Sequence, residues 1–397
     1  MFWLRARRKK ASSVIKATEQ SISTVANLGS ILVLTKLQAN ASYPRRIVAS
    51  LLISIVAFAL LAFSTKAFLR ASAGEYFAFV MIIVFISSLA TGFMQNGCFA
   101  FAAGFNQPEY IQAILTGQAV AGILPPIAQI VSVLSAGDHS GRADEESSNS
   151  AFAYFLIAVG VALITLLAFF LLARSQNINL GAQRRDMISV EHEDEEVQPA
   201  LRATRREETT TAKKSVPLLH LARKLFYPSA AVFVCFAVTM LFPVFTQEIV
   251  SVDPGRSKLF QKNAFIPLAF LIWNTGDLLG RMIPLFSALS LASKPKILLL
   301  IAIVRTAWIP LYLICNIQSA EGPAGVLRTV RSDTFYLLAV QFPFGLTNGY
   351  VGSCSMMGAG SFVGEGEKEA AGGFMSLMLV AGLTVGSLAS FLVGNNV

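Results

Sequence analysis

Apolar runs of membrane-spanning length dominate this sequence. A helix that crosses the hydrocarbon core of a bilayer needs about 20 mostly apolar residues, and ten runs approach or exceed that length. Hydrophobic residues make up 54% of the chain and charged residues 14%, whereas about a quarter of the residues in soluble domains are charged. The sequence therefore predicts an all-α, multi-pass membrane protein with about ten transmembrane helices. The runs cover residues 22–37, 47–63, 76–105, 110–134, 151–172, 230–250, 264–289, 297–316, 335–357 and 372–393.

A long charged segment divides these runs into two groups of five. It contains the acidic stretch 191–196 and several basic pairs, and such mixed charge with few aromatic residues is typical of a disordered linker. We expect a basic N-terminal segment at 1–21, a first bundle at 22–172, a cytoplasmic linker at 173–227 and a second bundle at 228–397. Two bundles about a long loop are typical of secondary transporters, whose sites lie near the bilayer midplane. We therefore predict a major-facilitator-like architecture.

Lysine and arginine residues in the short loops indicate the orientation. Lys36, Arg45 and Arg46 follow the first run, and Lys294 and Lys296 precede the eighth. Together with the linker, these loops fall on one side of the membrane, which the positive-inside rule assigns to the cytoplasm. The basic N-terminal stretch would then lie outside. This conflict predicts that the chain does not begin where a complete ancestor began.

Two full charges interrupt the apolar run 264–289. On a helix, Phe270, Asn274, Asp277 and Arg281 form one stripe, because they stand at i, i+4, i+7 and i+11. A charged side chain at membrane depth is costly and normally faces a protein interior or a water-filled path. A stripe with an aromatic ring, an amide, an acid and a base suits a polar solute that contains a ring. The alternative is an ion pair with no role beyond its own helix, since Asp277 and Arg281 are four residues apart.

Chemistry of other kinds finds no support in the sequence. The cysteines lie within apolar runs, which argues against a disulfide framework, and the three histidines show no metal-ligand spacing. No phosphate-binding loop or nucleophile elbow occurs. The net charge of +9 belongs to the loops rather than to a nucleic-acid surface. We expect neither an enzyme nor a metal site, a cofactor or a nucleic-acid partner.

The residues around the charge pair resemble a motif of the equilibrative nucleoside transporters. The stretch from Trp273 to Arg281 is similar to that family's Phe-Asn-x-x-Asp-x-x-Gly-Arg helix, with Trp273 in place of phenylalanine. The family has eleven helices and a cytoplasmic N-terminus, so the resemblance implies an N-terminally incomplete chain that lacks the first transmembrane helix. Further similar motifs are Gln95-Asn96-Gly97, Thr116-Gly117-Gln118, Leu241-Phe242-Pro243, the segment from Arg305 to Asn316, and Asn348-Gly349-Tyr350.

The resemblance implies a facilitative carrier that moves purine and pyrimidine nucleosides by alternating access. We expect Asp277 to accept hydrogen bonds from ribose hydroxyls and Arg281 to donate them. Asn274 and Gln95, which both donate and accept, are candidates to bind the edge of the base. For Gln95, an interhelical hydrogen bond is an equally good interpretation.

Aromatic and aliphatic side chains complete the predicted site. Phe270 and Phe242 are candidates to pack against the base, and Leu383 is a candidate for an apolar wall. Ordinary core packing is the alternative for Leu383, and it is the better interpretation for Phe242 unless Pro243 breaks the helix there.

Three further residues are predicted to be structural. Gly276 and Gly280 form a small-xxx-small pair on a different face from the stripe, which favours close helix packing. We expect Arg305 to contact carbonyl groups or a neighbouring helix.

Two alternatives remain open at this point. One is a proton-coupled carrier of the same fold for nucleosides, nucleobases or organic cations, with Asp277 as the proton acceptor. The other is an inactive membrane protein, because a missing first helix would leave the cavity open to lipid. The expected partners are nucleosides and the lipid bilayer, with no obligate protein partner. The expected location is the plasma membrane or a vacuolar or endosomal membrane.

Overall fold

Helices make up most of the described structure. The computed structural model describes residues 22–38, 41–67, 72–135, 152–175, 216–317, 330 and 332–394. The predicted N-terminal segment, the loop before residue 152 and most of the predicted linker lie outside this range. The helices are α1 (Ile22–Lys36), α2 (Tyr43–Ala67), α3 (Ala73–Gly104), α4 (Pro108–Ser135), α5 (Phe152–Ser175), α6 (Leu218–Lys224), α7 (Phe226–Thr239), α8 (Phe242–Glu248), α9 (Lys262–Met282), α10 (Pro295–Val304), α11 (Trp308–Leu313), α12 (Phe342–Gly358) and α13 (Lys368–Gly394).

The described residues contain seven helical spans long and apolar enough to cross a bilayer. Five of them are α2, α3, α4, α5 and α13, and the other two join shorter pieces, Phe226–Glu248 and Pro295–Leu313. Helix α1 is apolar but shorter, and α9 carries the two charges. The chain is an integral, multi-pass membrane protein, as the apolar runs predicted.

The structure describes helical residues at both ends of the segment predicted as a linker, 173–227. Helix α5 continues to Ser175, and α6 lies entirely inside the predicted linker. Helix α6 buries Leu221 in an apolar cluster of the second half. The sequence analysis did not predict this short helix, because it judged the segment by its charged composition, and one buried residue does not change that composition.

Prolines interrupt three spans of the second half, because proline has no N–H to donate to the carbonyl four residues earlier. Pro243 follows the break between α7 and α8. Pro310 follows the 3₁₀ turn Arg305–Ala307 between α10 and α11, and Pro343 follows the π-helical turn Phe335–Gln341. The condition set for Phe242, a helix broken at Pro243, is therefore met.

Glycines bring α9 and α12 into backbone contact. Gly276 and Gly280 of α9 face the backbone of α12, and Gly345 and Gly349 of α12 face the backbone of α9. A Cβ atom on Gly280 would overlap the carbonyl oxygen of Leu346. Small residues allow such close approach of helices in membranes.

The connections of one end of the bundle carry most of the basic side chains, including Lys36, Lys224 and Lys294. We call it the basic end, and the positive-inside rule assigns it to the cytoplasm. At this end Glu367 accepts hydrogen bonds from Lys224 (2.7 Å) and His220 (2.8 Å), which hold α6 against the start of α13.

The two halves pack together through an apolar cluster near the basic end. It contains Phe99 of α3, Leu115 of α4 and Met375 of α13. Helices α3 and α13 approach closely where Gly372 faces the carbonyl oxygen of Phe99. Helix α4 also packs along α9. Helices α3 and α4 of the first half therefore both contact the second half.

We predict that Gly280→Ala destabilises the folded protein by about 1–3 kcal/mol, because the new methyl group forces α9 away from α12. The matched control is Gly117→Ala on α4, where an added Cβ would meet no atom within 4 Å. Thermal unfolding in detergent measures the effect. Equal melting temperatures for the two variants would contradict the packing described here.

Candidate functional site

The acid and base of the stripe form a buried ion pair on α9. Arg281 Nε donates to Asp277 Oδ2 at 2.8 Å. Asp277 is 2% exposed and Arg281 is 8% exposed, so both charges face protein rather than lipid. Positions i and i+4 are adjacent on a helix, which makes the pair a product of local sequence.

Asn348 of α12 completes the surroundings of the carboxylate. Its Nδ2 donates to Asp277 Oδ1 at 2.7 Å. Its Oδ1 accepts from Thr239 Oγ1 at 2.6 Å and from Cys235 Sγ at 3.3 Å, both on α7. Donors on the oxygen side and a carboxylate on the nitrogen side allow one orientation of this amide.

Arg305 lies fully buried between α10 and α11. Its guanidinium donates to the carbonyl of Phe344 at 2.8 Å, to Thr347 Oγ1 at 2.6 Å and to Thr239 Oγ1 at 2.9 Å. It also lies 4.4 Å from the centre of the Phe344 ring. Within the described residues Arg305 makes no ion pair, and it reaches the carboxylate of Asp277 only through Asn348, at 3.4 Å from the amide oxygen.

The same ion pair touches the first half of the molecule. Arg281 Nη1 donates to the carbonyl of Leu115 at 2.7 Å and lies 3.5 Å from Gln118 Oε1. Gln112 Nε2 donates to the backbone carbonyl of Arg281. Gln112 is buried, and its Oε1 has no hydrogen-bond partner among the described residues. Arg281 is therefore a polar contact between the two halves.

An aromatic cluster lies toward the start of α9. Phe242 stacks on Trp273 with ring centres 4.4 Å apart and planes inclined by 10°. Phe270 meets Phe242 edge to face at 5.3 Å. Trp273 Nε1 is buried without a hydrogen-bond partner among the described residues. Asn274 donates to the carbonyl of Phe270 at 2.8 Å.

The structure does not bring every predicted residue together. One region around α9 contains five of them: Asp277, Arg281, Asn274, Phe270 and Phe242. Gln95 and Leu383 lie outside this region.

Gln95 of α3 accepts from Asn27 of α1 at 3.5 Å, which is the interhelical bond considered as its alternative. Leu383 of α13 packs against the apolar cluster near the basic end. None of the described contacts joins either residue to Asp277.

Comparisons with known proteins identify the family of this chain. The family model described as "Nucleoside transporter" matches residues 80–394. The chain belongs to the nucleoside transporter family. Nucleoside transporter FUN26 of Saccharomyces cerevisiae is 30% identical over 96% of this chain and 76% of its own length. Equilibrative nucleoside transporter 1 of Mus musculus is 28% identical over 96% of this chain and 84% of its own length.

A solved structure shows the same fold. FucP, a major facilitator superfamily transporter solved in its outward conformation, aligns with a TM-score of 0.52 over 96% of this chain and 87% of its own. The sequences are 11% identical, so this likeness concerns the fold alone. The predicted major-facilitator-like architecture of this nucleoside transporter family member is confirmed.

Sequence reasoning missed two residues of the site. Asn348 entered the analysis only as part of a similar motif, and Gln112 did not enter at all. The stripe analysis considered one helix, whereas both residues reach α9 from other helices. A buried amide in an apolar run is the signal that marks both of them.

We predict that Gln112→Leu loosens the contact between α4 and α9. Hydrogen exchange of the α4 peptide covering residues 110–118 should accelerate about tenfold, because a buried hydrogen bond between the halves is lost. The matched control is Gln129→Leu, since Gln129 is exposed on the same helix. Mass spectrometry measures the exchange. Identical exchange in both variants would show that Gln112 does not hold the halves together.

Proposed function

We propose that this protein is a facilitative carrier for purine and pyrimidine nucleosides that works by alternating access. The observation that carries the proposal is the buried Asp277–Arg281 pair, which belongs to the second half and contacts α4 of the first half. Functional sites of repeat-built transporters lie between their halves. The names of the relatives, as nucleoside transporters, support nucleosides as the substrate class.

The chemistry of the pair suits a ribose. Each carboxylate oxygen of Asp277 receives one described hydrogen bond, and a carboxylate oxygen accepts two. Ribose hydroxyls can therefore donate to the remaining lone pairs once the surrounding side chains part. Within the described residues Nη2 of Arg281 makes no hydrogen bond, so it is free to donate to a hydroxyl.

The aromatic cluster suits the base. Phe242, Phe270 and Trp273 present flat faces, and aromatic rings favour stacked or edge-to-face contacts. A buried donor without a partner costs about 1–3 kcal/mol. Trp273 Nε1 would recover that cost by donating to a base carbonyl or ring nitrogen. Asn274 is a second candidate for the base edge.

Alternating access requires the halves to separate at the basic end. The contacts that would have to break there include the bond from Arg281 to the carbonyl of Leu115, the bond from Gln112 to the carbonyl of Arg281, and the packing of Gly372 on Phe99. A bound solute that competes for the donors of Arg281 would weaken the first of these contacts. Substrate binding and opening would thereby be linked through one side chain.

The surroundings of Asp277 support transport without proton coupling. Arg281 and Asn348 both donate to the carboxylate, so each of its oxygens is held by a donor of the protein. Transport would then run down the nucleoside gradient in either direction, without sodium. We place the carrier in the plasma membrane or in a vacuolar or endosomal membrane, with no obligate protein partner.

We predict that Asp277→Asn and Arg281→Ala each lower the uptake of uridine and adenosine roughly tenfold to hundredfold, because each removes a charge-assisted hydrogen bond. Asp253→Asn, at an exposed position, is the control and should leave uptake unchanged. Radiolabelled uptake is normalised to the abundance of each variant in the membrane. Normal uptake by either site variant would show that the ion pair has only a structural role.

A further inference from the structure

Asn348 lies between the carboxylate of Asp277 and the guanidinium of Arg305. Its amide nitrogen donates to Asp277, while its amide oxygen faces the donors of Thr239 and Arg305. Asn348 is 1% exposed. The carboxylate therefore meets Arg281 directly and Arg305 only across an amide.

We propose that Asn348 is a positioning residue for nucleoside binding, which holds the carboxylate of Asp277 in the orientation that receives the ribose. This inference rests on the proposed function. Asn348 itself touches no substrate in this account and acts through Asp277.

The first argument concerns geometry. Arg281 reaches the carboxylate from the same helix through Oδ2, and Asn348 reaches Oδ1 from α12. A carboxylate held on both oxygens from two directions cannot rotate about its last side-chain bond. The lone pairs left over then point in fixed directions, as a preorganised site requires.

The second argument concerns charge. Arg305 and Thr239 donate to the amide oxygen, and such donation strengthens the amide N–H as a donor. The amide also separates Arg305 from Asp277, so Arg281 remains the direct partner of the carboxylate. An apolar side chain at this position could not accept from Thr239 and Arg305, and those donors would face an apolar group.

The experiment compares two substrates that differ only in ribose hydroxyls, uridine and 2′,3′-dideoxyuridine. Uptake of both is measured in the wild type, Asn348→Leu and Asn348→Asp, normalised to membrane abundance. Ser353→Ala is the matched control, because Ser353 is buried on the same helix and its hydroxyl has no hydrogen-bond partner among the described residues.

In Asn348→Leu we expect the preference for uridine over dideoxyuridine to fall about tenfold, because the carboxylate no longer holds its orientation. Ser353→Ala should keep the preference of the wild type. A purely structural role would lower the uptake of both substrates equally and leave the preference unchanged, which would overturn the proposal.

The Asn348→Asp variant is a second test. Aspartate has no amide N–H to donate to Asp277, and its carboxylate repels that of Asp277, so the preference for uridine over dideoxyuridine should fall as it does in Asn348→Leu. The titratable and charged groups in contact with Asn348 are Asp277, Arg305 and Cys235, and Arg281 pairs with Asp277. Helix α4, which also packs on α12, carries Glu109 and Tyr110 in its first turn and no other titratable side chain.

The outcomes separate this inference from the proposed function. If the wild type transports no uridine, the proposed function fails. If the wild type transports uridine but the Asn348 variants keep its substrate preference, the positioning role fails. If neither variant accumulates in the membrane while Ser353→Ala does, Asn348 is a folding determinant and the positioning role is likewise rejected.

Discussion

A charge inside a membrane needs polar partners from the protein, because lipid offers no hydrogen bond. Three buried charges of the second half obey this constraint together. Asp277 pairs with Arg281, and Asn348 connects the carboxylate to Arg305. One acid and two bases thereby fix the relative positions of α7, α9, α12 and the break after α10. The remaining packing of this half is built around that arrangement.

The glycines and prolines of the second half serve the same arrangement. Asn348 reaches Asp277 at 2.7 Å because Gly276, Gly280, Gly345 and Gly349 let α9 and α12 touch through their backbones. The break after α10 places Arg305 in a 3₁₀ turn, where its guanidinium points into the bundle rather than along a helix surface. Local sequence choices and the buried charge network thus support the same structure.

Much of this architecture could be predicted from the sequence. Apolar runs determine where helices cross the bilayer, and the spacing of Asp277 and Arg281 places them on one face of a helix. Partners on other helices could not be predicted in this way. Asn348 and Gln112 meet α9 only through tertiary packing, and Gln95 meets Asn27 for the same reason. Helix α6 was missed because its one buried turn is shorter than the window over which hydrophobicity is informative.

The central claim is that the two halves form an alternating-access carrier around Asp277 and Arg281. Entrance counterflow in proteoliposomes tests it most directly, with unlabelled uridine inside and labelled uridine outside. The account predicts a transient accumulation of label above equilibrium, unchanged by a protonophore and absent in Arg281→Ala. A wild-type protein that shows no transient accumulation, or one whose accumulation collapses with the protonophore, would contradict the account.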